Sequence, residues 1–392
     1  MRLALLFLIP FLLPIQLVSA QPLWNLSIGD VVVSVSISSD GNYVAASSLY
    51  VGVGVGRICF LNKEGELIWS YLAEIPISTS TSSRGEYIAL GIGWEGIFYL
   101  SREGELIWSY KTKESFLEVH ISSDGNYVAC STSHGNVYYF NGEGRKLWSY
   151  RFLNRFIPIS MPSDGSLVVV GSSYEVMLLS RLGDILWSSE IDGEVYRIKI
   201  SSDGSHIVAL TDDKLYFLSG QGEILWTSEI EGEILSMILS SDGSYVAVSN
   251  IFREDNEIKG KVLFYNEYGK LLWSHDTETW ASVSMSSDGN YVVVGGKEIY
   301  LLNKDGKLLW SHLIGDGSIH VISLSNDGRY AAIGVNGNLI LFSFEEIIRE
   351  NPPKMEPMKT VSDKFLALTS LAVVLSILGV IFLALVRKIS FV

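Results

Sequence analysis

The chain has 392 residues, of which 48% are hydrophobic, 11% aromatic and 18% charged, which excludes a disordered or collagen-like chain. Its 29 basic and 43 acidic residues give a formal net charge of −14. That balance argues against nucleic acid as a partner, because phosphate binding needs a basic face, and two cysteines exclude a disulfide scaffold.

Met1 to Ala20 (MRLALLFLIPFLLPIQLVSA) reads as a secretory signal peptide. Arg2 supplies the basic start, an apolar run follows, and Val18-Ser19-Ala20 offers small residues for cleavage before Gln21. An uncleaved anchor is the competing reading, and Pro10 and Pro14 weigh against a long spanning helix.

From residue 21 to 345 one pattern repeats. Its first marker is a Ser-x-Asp-Gly turn, as in Ser38-Ser39-Asp40-Gly41 and Ser122-Ser123-Asp124-Gly125. Eight such turns or close variants occur, their glycines 39 to 46 residues apart. The second marker is a tryptophan after a short apolar pair, at Trp24, Trp69, Trp108, Trp148, Trp187, Trp226, Trp273 and Trp310. An apolar, aromatic-rich strand precedes most of these, as in Val137-Tyr138-Tyr139-Phe140-Asn141.

One repeat reads as four short strands. In the third they are Phe116 to Ser122, Asn126 to Thr132, Asn136 to Asn141 and Arg145 to Tyr150. Asp-Gly and Glu-Gly turns separate them, and β-branched and aromatic residues fill them. Four strands per ~40 residues is the period of a propeller blade. The fold class expected is therefore all-β: an eight-bladed β-propeller, with seven blades as the alternative. Trp24 precedes the first turn, and the last repeat (Ile319 to Phe344) lacks a tryptophan strand. The strand around Leu23 to Ile28 is thus expected to complete the last blade and leave no free sheet edge.

These residues resemble two known propeller families. The Gly-x-Leu/Ile-x-Trp strand, as in Gly65-Glu66-Leu67-Ile68-Trp69, is similar to the tryptophan-docking repeat of pyrroloquinoline-quinone-like propellers. That family includes the quinoprotein alcohol dehydrogenases and the bacterial outer-membrane assembly lipoprotein. The Ser-x-Asp-Gly-x-Tyr turn resembles WD-type repeats. The resemblance spans about Pro22 to Phe344 and implies the fold; propellers host too many activities for it to imply a function.

The quinone enzymes set a disulfide of adjacent cysteines against the cofactor and hold Ca²⁺ with carboxylates and amides. Here Cys59 and Cys130 fall in non-neighbouring repeats, so those cofactor residues do not carry over. No cofactor or catalytic residue is assigned. His120, His134, His206, His275, His312 and His320 form no zinc spacing. The turn aspartates each offer one oxygen donor where a calcium loop needs several, and turn chemistry accounts for them. The recurrent tryptophans read as packing devices. Val51 to Gly56 reads as a hairpin tip rather than a phosphate loop.

Turns after strands one and three lie on one face of a propeller and are near-identical here. The opposite face carries the variation, including insertions at Ser48 to Gly56 and Asn250 to Gly260. Candidate binding residues on that face are Trp94, Lys111, Lys113, Arg151, Arg155, Asp192, Glu194, Glu231, Glu233, Asp276, Glu278, Trp280 and Asp316, with Glu74 and Glu114 beside them. Trp94 and Trp280 stand out because they break the repeat. Asn25-Leu26-Ser27 is a glycosylation sequon at Asn25.

Residues 346–364 read as a stalk, stiffened by Pro352, Pro353 and Pro357. The span 365–386 reads as a transmembrane helix, with Leu366 to Val386 unbroken by charge and long enough for the bilayer core. Arg387 and Lys388 open a tail, 387–392, that the positive-inside rule places in the cytoplasm. All the acidic residues lie between Asp30 and Asp363, on the exported side.

The expected protein is a non-enzymatic, single-pass, cell-surface propeller. It would bind or scaffold an exported protein or a cell-envelope polymer, and no nucleic acid. A quinone-linked dehydrogenase, a carbohydrate-active propeller enzyme and a surface-layer structural protein are the alternatives.

Overall fold

The computed structural model describes residues 20–353, apart from 155, 256, 279 and 315–318. The signal peptide up to residue 19, the stalk beyond residue 353 and the span 365–386 lie outside the described residues. Among the described residues no helix is long and apolar enough to cross a membrane.

The described residues form eight antiparallel sheets, each a blade. The innermost strands, in blade order, are Val31–Ile37, Pro76–Thr81, Phe116–Ile121, Ile159–Ser160, Arg197–Ile200, Glu233–Leu239, Ser282–Met285 and Ile319–Leu324. The expected strands of the third repeat fall within a residue or so of those observed, Phe116–Ile121, Tyr127–Thr132, Asn136–Asn141 and Lys146–Arg151. Blade four has three strands because its second and third run together as Leu167–Ser180, turning through Tyr174 at φ 62°.

The N-terminal strand Pro22–Ser27 pairs antiparallel with Asn338–Ser343 and becomes the outer strand of blade eight. The first and last repeats therefore share one sheet. A ring of backbone hydrogen bonds also closes on itself. Ser39 N–H donates to Ser83, Ser83 to Ser123, Ser123 to Ser163, Ser163 to Ser202, Ser202 to Ser241, Ser241 to Ser287, Ser287 to Asn326, and Asn326 back to Ser39. Each donor and acceptor is the second residue of a Ser-x-Asp-Gly turn or one of its variants, so the closed bond chain counts eight blades.

The turn chemistry follows from the motif. In Ser122-Ser123-Asp124-Gly125 the buried Ser122 hydroxyl donates to Asp124 Oδ1 at 2.6 Å and accepts from Tyr127 N–H at 3.0 Å. Asp124 Oδ1 also accepts from Asn126 N–H at 2.9 Å.

Two sets of aromatic side chains lock each blade to the next. Trp69 of blade one lies over Gly104 of blade two and donates its indole N–H to Arg102 O at 3.0 Å. Trp108, Trp187, Trp226 and Trp273 repeat that bond onto their following blades. Trp148 stacks over Gly183, but its Nε1 finds no acceptor. On the other turn, Tyr87 lies over Gly125, and Tyr43, Tyr127, Tyr245, Tyr291 and Tyr330 do the same elsewhere. Leu167 and His206 substitute at the two remaining places. Between the blades lie separate apolar clusters, one joining Ala89, Tyr99, Val119, Val128 and Phe140.

After the last strand comes a short helix, Glu345–Glu350, which buries Ile347. Phe344 meets the ring of Trp310 edge-on, centroids 5.4 Å apart, where other blades present a turn glycine.

Candidate functional site

The innermost strand of every blade is an edge strand, and its backbone N–H groups face the channel without a strand partner. Buried donors need acceptors, and here every blade but the fifth supplies one from its own inner strand to the next. Ser34 Oγ accepts from Thr79 N–H at 3.1 Å, and Ser36 Oγ from Thr81 N–H at 3.2 Å. Ser78 and Ser80 serve Val119 and Ile121, Ser160 serves Ile200, and Ser236 serves Val283. Ser284 serves Leu324, and Ser323 serves Ile37 across the closure. Small hydroxyls fit because the strands converge on the axis.

Two blades depart from serine. In blade three the position is taken by Glu118, whose Oε2 accepts from Ile159 N–H at 2.9 Å and stands 3.9 Å from His120 Nε2. Burial pushes the Glu118 carboxyl up, but His120 and the Ile159 N–H outweigh it and hold the group below its ordinary value. In blade five the two equivalent positions are Arg197 and Lys199. Both line a cavity of about 620 Å³ in the channel, together with serines and Trp280.

The sequence reading did not single out Glu118, Arg197 or Lys199 as site residues. A signal existed: counting back seven and five residues from each turn glycine gives serine at one or both positions in six repeats, but Glu118/His120 in one repeat and Arg197/Lys199 in another.

The other candidates sit on the face away from the Ser-x-Asp-Gly turns. Trp94 is in the turn before Gly96–Ser101 and is 56% exposed. Lys111 and Lys113 are exposed in the connection to Phe116–Ile121, and Arg151 ends its strand. Glu114 is tied down: Oε2 accepts from Thr132 Oγ1 at 2.6 Å and from Asn136 Nδ2 at 2.8 Å. Asp192 is 3.6 Å from Lys214, and Glu194 accepts from Asn154 Nδ2 at 3.0 Å. Arg155 and Asp316 lie outside the described residues. Asn25 is exposed on the outer strand of blade eight. Glu233 opens the inner strand of blade six, and Glu74 ends the outer strand of blade one.

Three of the candidates are brought together. Glu231, Asp276 and Glu278 border a cavity of about 820 Å³ beside the long hairpin Tyr245–Glu254 and Glu257–Asn266. Asp276 is 3.7 Å from Lys261 and Glu278 is 3.6 Å from Lys297. The Lys261 ammonium lies 5.2 Å from the Phe252 ring centroid. These exposed pairs are each worth about 0–1 kcal/mol and can exchange for a partner's charges. Trp280, 48% exposed, belongs to the channel cavity instead. Among the described residues no three His, Cys, Asp or Glu are placed to hold a metal.

Comparison with known proteins gives the fold. Residues 130–312 match a family of unknown function, DUF5711. No curated protein matches the chain in sequence. Among solved structures, Sqt1 of Chaetomium thermophilum, bound to the N-terminus of the ribosomal protein L10, superposes with a TM-score of 0.67 at 14% identity, covering 82% of this chain and 100% of Sqt1. BamB of Moraxella catarrhalis gives 0.61 at 16% identity, covering 83% of this chain and 100% of BamB. Sqt1 of Saccharomyces cerevisiae gives 0.67 at 12% identity, covering 83% of this chain and 99% of Sqt1. At these identities the likeness is one of β-propeller architecture.

Proposed function

We propose that this protein is a membrane-tethered, cell-surface β-propeller that acts as a binding or scaffold module for an exported protein or envelope polymer. The observation that carries the reading is the contrast between the two faces. One face is a closed ring of near-identical turns whose side chains are consumed in holding the blades. The other presents Trp94, the charged hairpin of blade six and loops of differing length on the same rigid frame. Variable loops on a uniform scaffold are where recognition resides. The Sqt1 propeller bound to the N-terminus of a ribosomal protein offers a precedent for a protein segment as ligand. The signal-like Met1 to Ala20 and the apolar Leu366 to Val386 support export and anchoring. Kinship with the pyrroloquinoline-quinone-like propellers is proposed for the tryptophan-docking repeat alone, not for their chemistry.

Cross-linking on intact native membranes, followed by mass spectrometry of peptides joined to the variable face, tests this. One or two enriched exported proteins or envelope polymers on that face are expected. Links confined to other copies of the chain would replace the reading with a surface-layer role. Recovery of the protein in the soluble fraction after carbonate extraction would overturn the tether.

A further inference from the structure

The seam between blades five and six lacks the side-chain acceptor found at every other seam, a serine hydroxyl at six of them and the Glu118 carboxylate at the seventh. The acceptor stands seven or five residues before a turn glycine, and the donor N–H six or four residues before the next glycine. At this seam the acceptor positions are Arg197 and Lys199, and the donor positions are Met237 and Leu239. Guanidinium and ammonium groups only donate, so they cannot serve those N–H groups. Arg197 and Lys199 stand two apart on one strand and therefore project to the same side. Neither has an ion-pair partner within 4.0 Å or a side-chain hydrogen bond among the described residues. Burial lowers the Lys199 ammonium, Glu118 across the channel raises it and Arg197 lowers it further. Arg197 is exposed and Lys199 half-buried, and with Glu118 as the opposing charge that acts on Lys199 the pair keeps N–H donors turned to the cavity that an anion can accept from.

The rest of the cavity says what kind of anion. Its other walls carry serines, among them Ser236, Ser282 and Ser284, and Trp280. A volume of about 620 Å³ is within the range of small-molecule sites. Arg offers a planar fork that matches a carboxylate, hydroxyls match hydroxyls, and an indole matches the apolar face of a sugar ring. We propose that the channel binds a small acidic sugar, its carboxylate held by Arg197 and Lys199, its hydroxyls by the serine wall and its ring against Trp280.

The site does not rest on the partner-binding reading of the variable face, and either can fail alone. The test is isothermal titration of the full-length protein in detergent with D-glucuronate, D-glucose and inorganic phosphate. Glucuronate is expected to bind one to one with a Kd below about 1 mM. Arg197→Ser and Lys199→Ser should each weaken it about tenfold or more. Serine restores the residue that other seams carry, so both variants should melt no lower than the parent, which separates a lost ligand contact from a lost fold. Failure of glucuronate to bind at about 10 mM overturns the proposal. So does phosphate or glucose binding as tightly as glucuronate, or serine variants that bind like the parent.

Discussion

The indole N–H of Trp24 donates to the Lys63 carbonyl at 2.9 Å, the same bond that Trp69 makes to Arg102 at 3.0 Å. Trp24 comes from the start of the propeller sequence, yet it occupies the outer strand of the last blade and lies over Gly65 of the first. The ring is thus locked at its closure by the same device used inside the chain. Trp24→Ala is expected to cost about 2–4 kcal/mol, through lost packing and an orphaned carbonyl. Trp24→Phe keeps a ring over Gly65 and should cost about 1 kcal/mol for the bond. Urea unfolding of the two variants checks both values, and a change below about 0.5 kcal/mol for alanine would mean the closure does not limit stability.

Two tryptophans of similar appearance in the sequence should behave oppositely. Trp69 is buried over Gly104, where an added Cβ would lie 2.7 Å from its ring and the backbone has φ +87°. Gly104→Ala should therefore cost about 1–3 kcal/mol from crowding and left-handed strain, and Trp69→Ala about 3–5 kcal/mol. Trp94 is 56% exposed at a turn. Trp94→Ala should leave the melting temperature unchanged and reduce partner cross-linking on the variable face. A large drop in stability for Trp94→Ala would return it to the core.

Much of this architecture was legible before any coordinates, because each blade repeats the same local instructions. The Asp-Gly turns, the tryptophan spacing and the orphan strand at Leu23 to Ile28 fixed blade count and closure together. Blade four escaped that reading: Leu167–Ser180 runs through as one strand because Tyr174 makes the turn at positive φ without a glycine. The channel also escaped it. A residue such as Lys199 looks like an ordinary strand residue until the serines at the same register in other repeats are seen to hydrogen-bond across seams. Glu114 looked like a rim charge and is instead held by Thr132 and Asn136.

The turn serines make stability sensitive to acid. Asp40, Asp124 and Asp203 are pushed up by burial, but hydrogen bonds from Ser38, Ser122 and Ser201 and from the following residues outweigh it, and each titrates below its ordinary 3.8. The folded chain then binds fewer protons than the unfolded one. The stabilisation is fully present above the unfolded value near 3.8 and is lost as pH falls through the folded values. Thermal melts from pH 6 downward should be flat for these groups until about pH 4 and then fall. Ser122→Ala leaves Tyr127 N–H without its acceptor and should cost about 1–3 kcal/mol at pH 7. It should also shrink the acid-dependent loss, since Asp124 then titrates closer to its unfolded value. A variant with an unchanged pH profile would show that the serine does not depress the carboxyl.

The two thiols offer a readout of local opening. Cys59 lies in the third strand of blade one and Cys130 in the second strand of blade three, both buried and unpaired. Burial pushes the Cys59 thiol up to about 11, against a lesser opposing pull from Arg57, and pushes Cys130 higher still. The thiolate is the reactive form, so at pH 8 neither side chain is accessible or ionised enough to react. Maleimide at that pH is expected to leave both unmodified in the folded protein and to modify both in urea, as read by mass spectrometry. Each thiol sits in its own apolar cluster, Cys59 with Val44 and Leu61 and Cys130 with Val128 and Phe140, so labelling of each in partly denaturing conditions reports the opening of its own part of the ring. Rapid labelling of Cys130 in the native protein would mean that blades two and three separate readily, and that the aromatic lock of Tyr87 on Gly125 is weaker than its geometry implies.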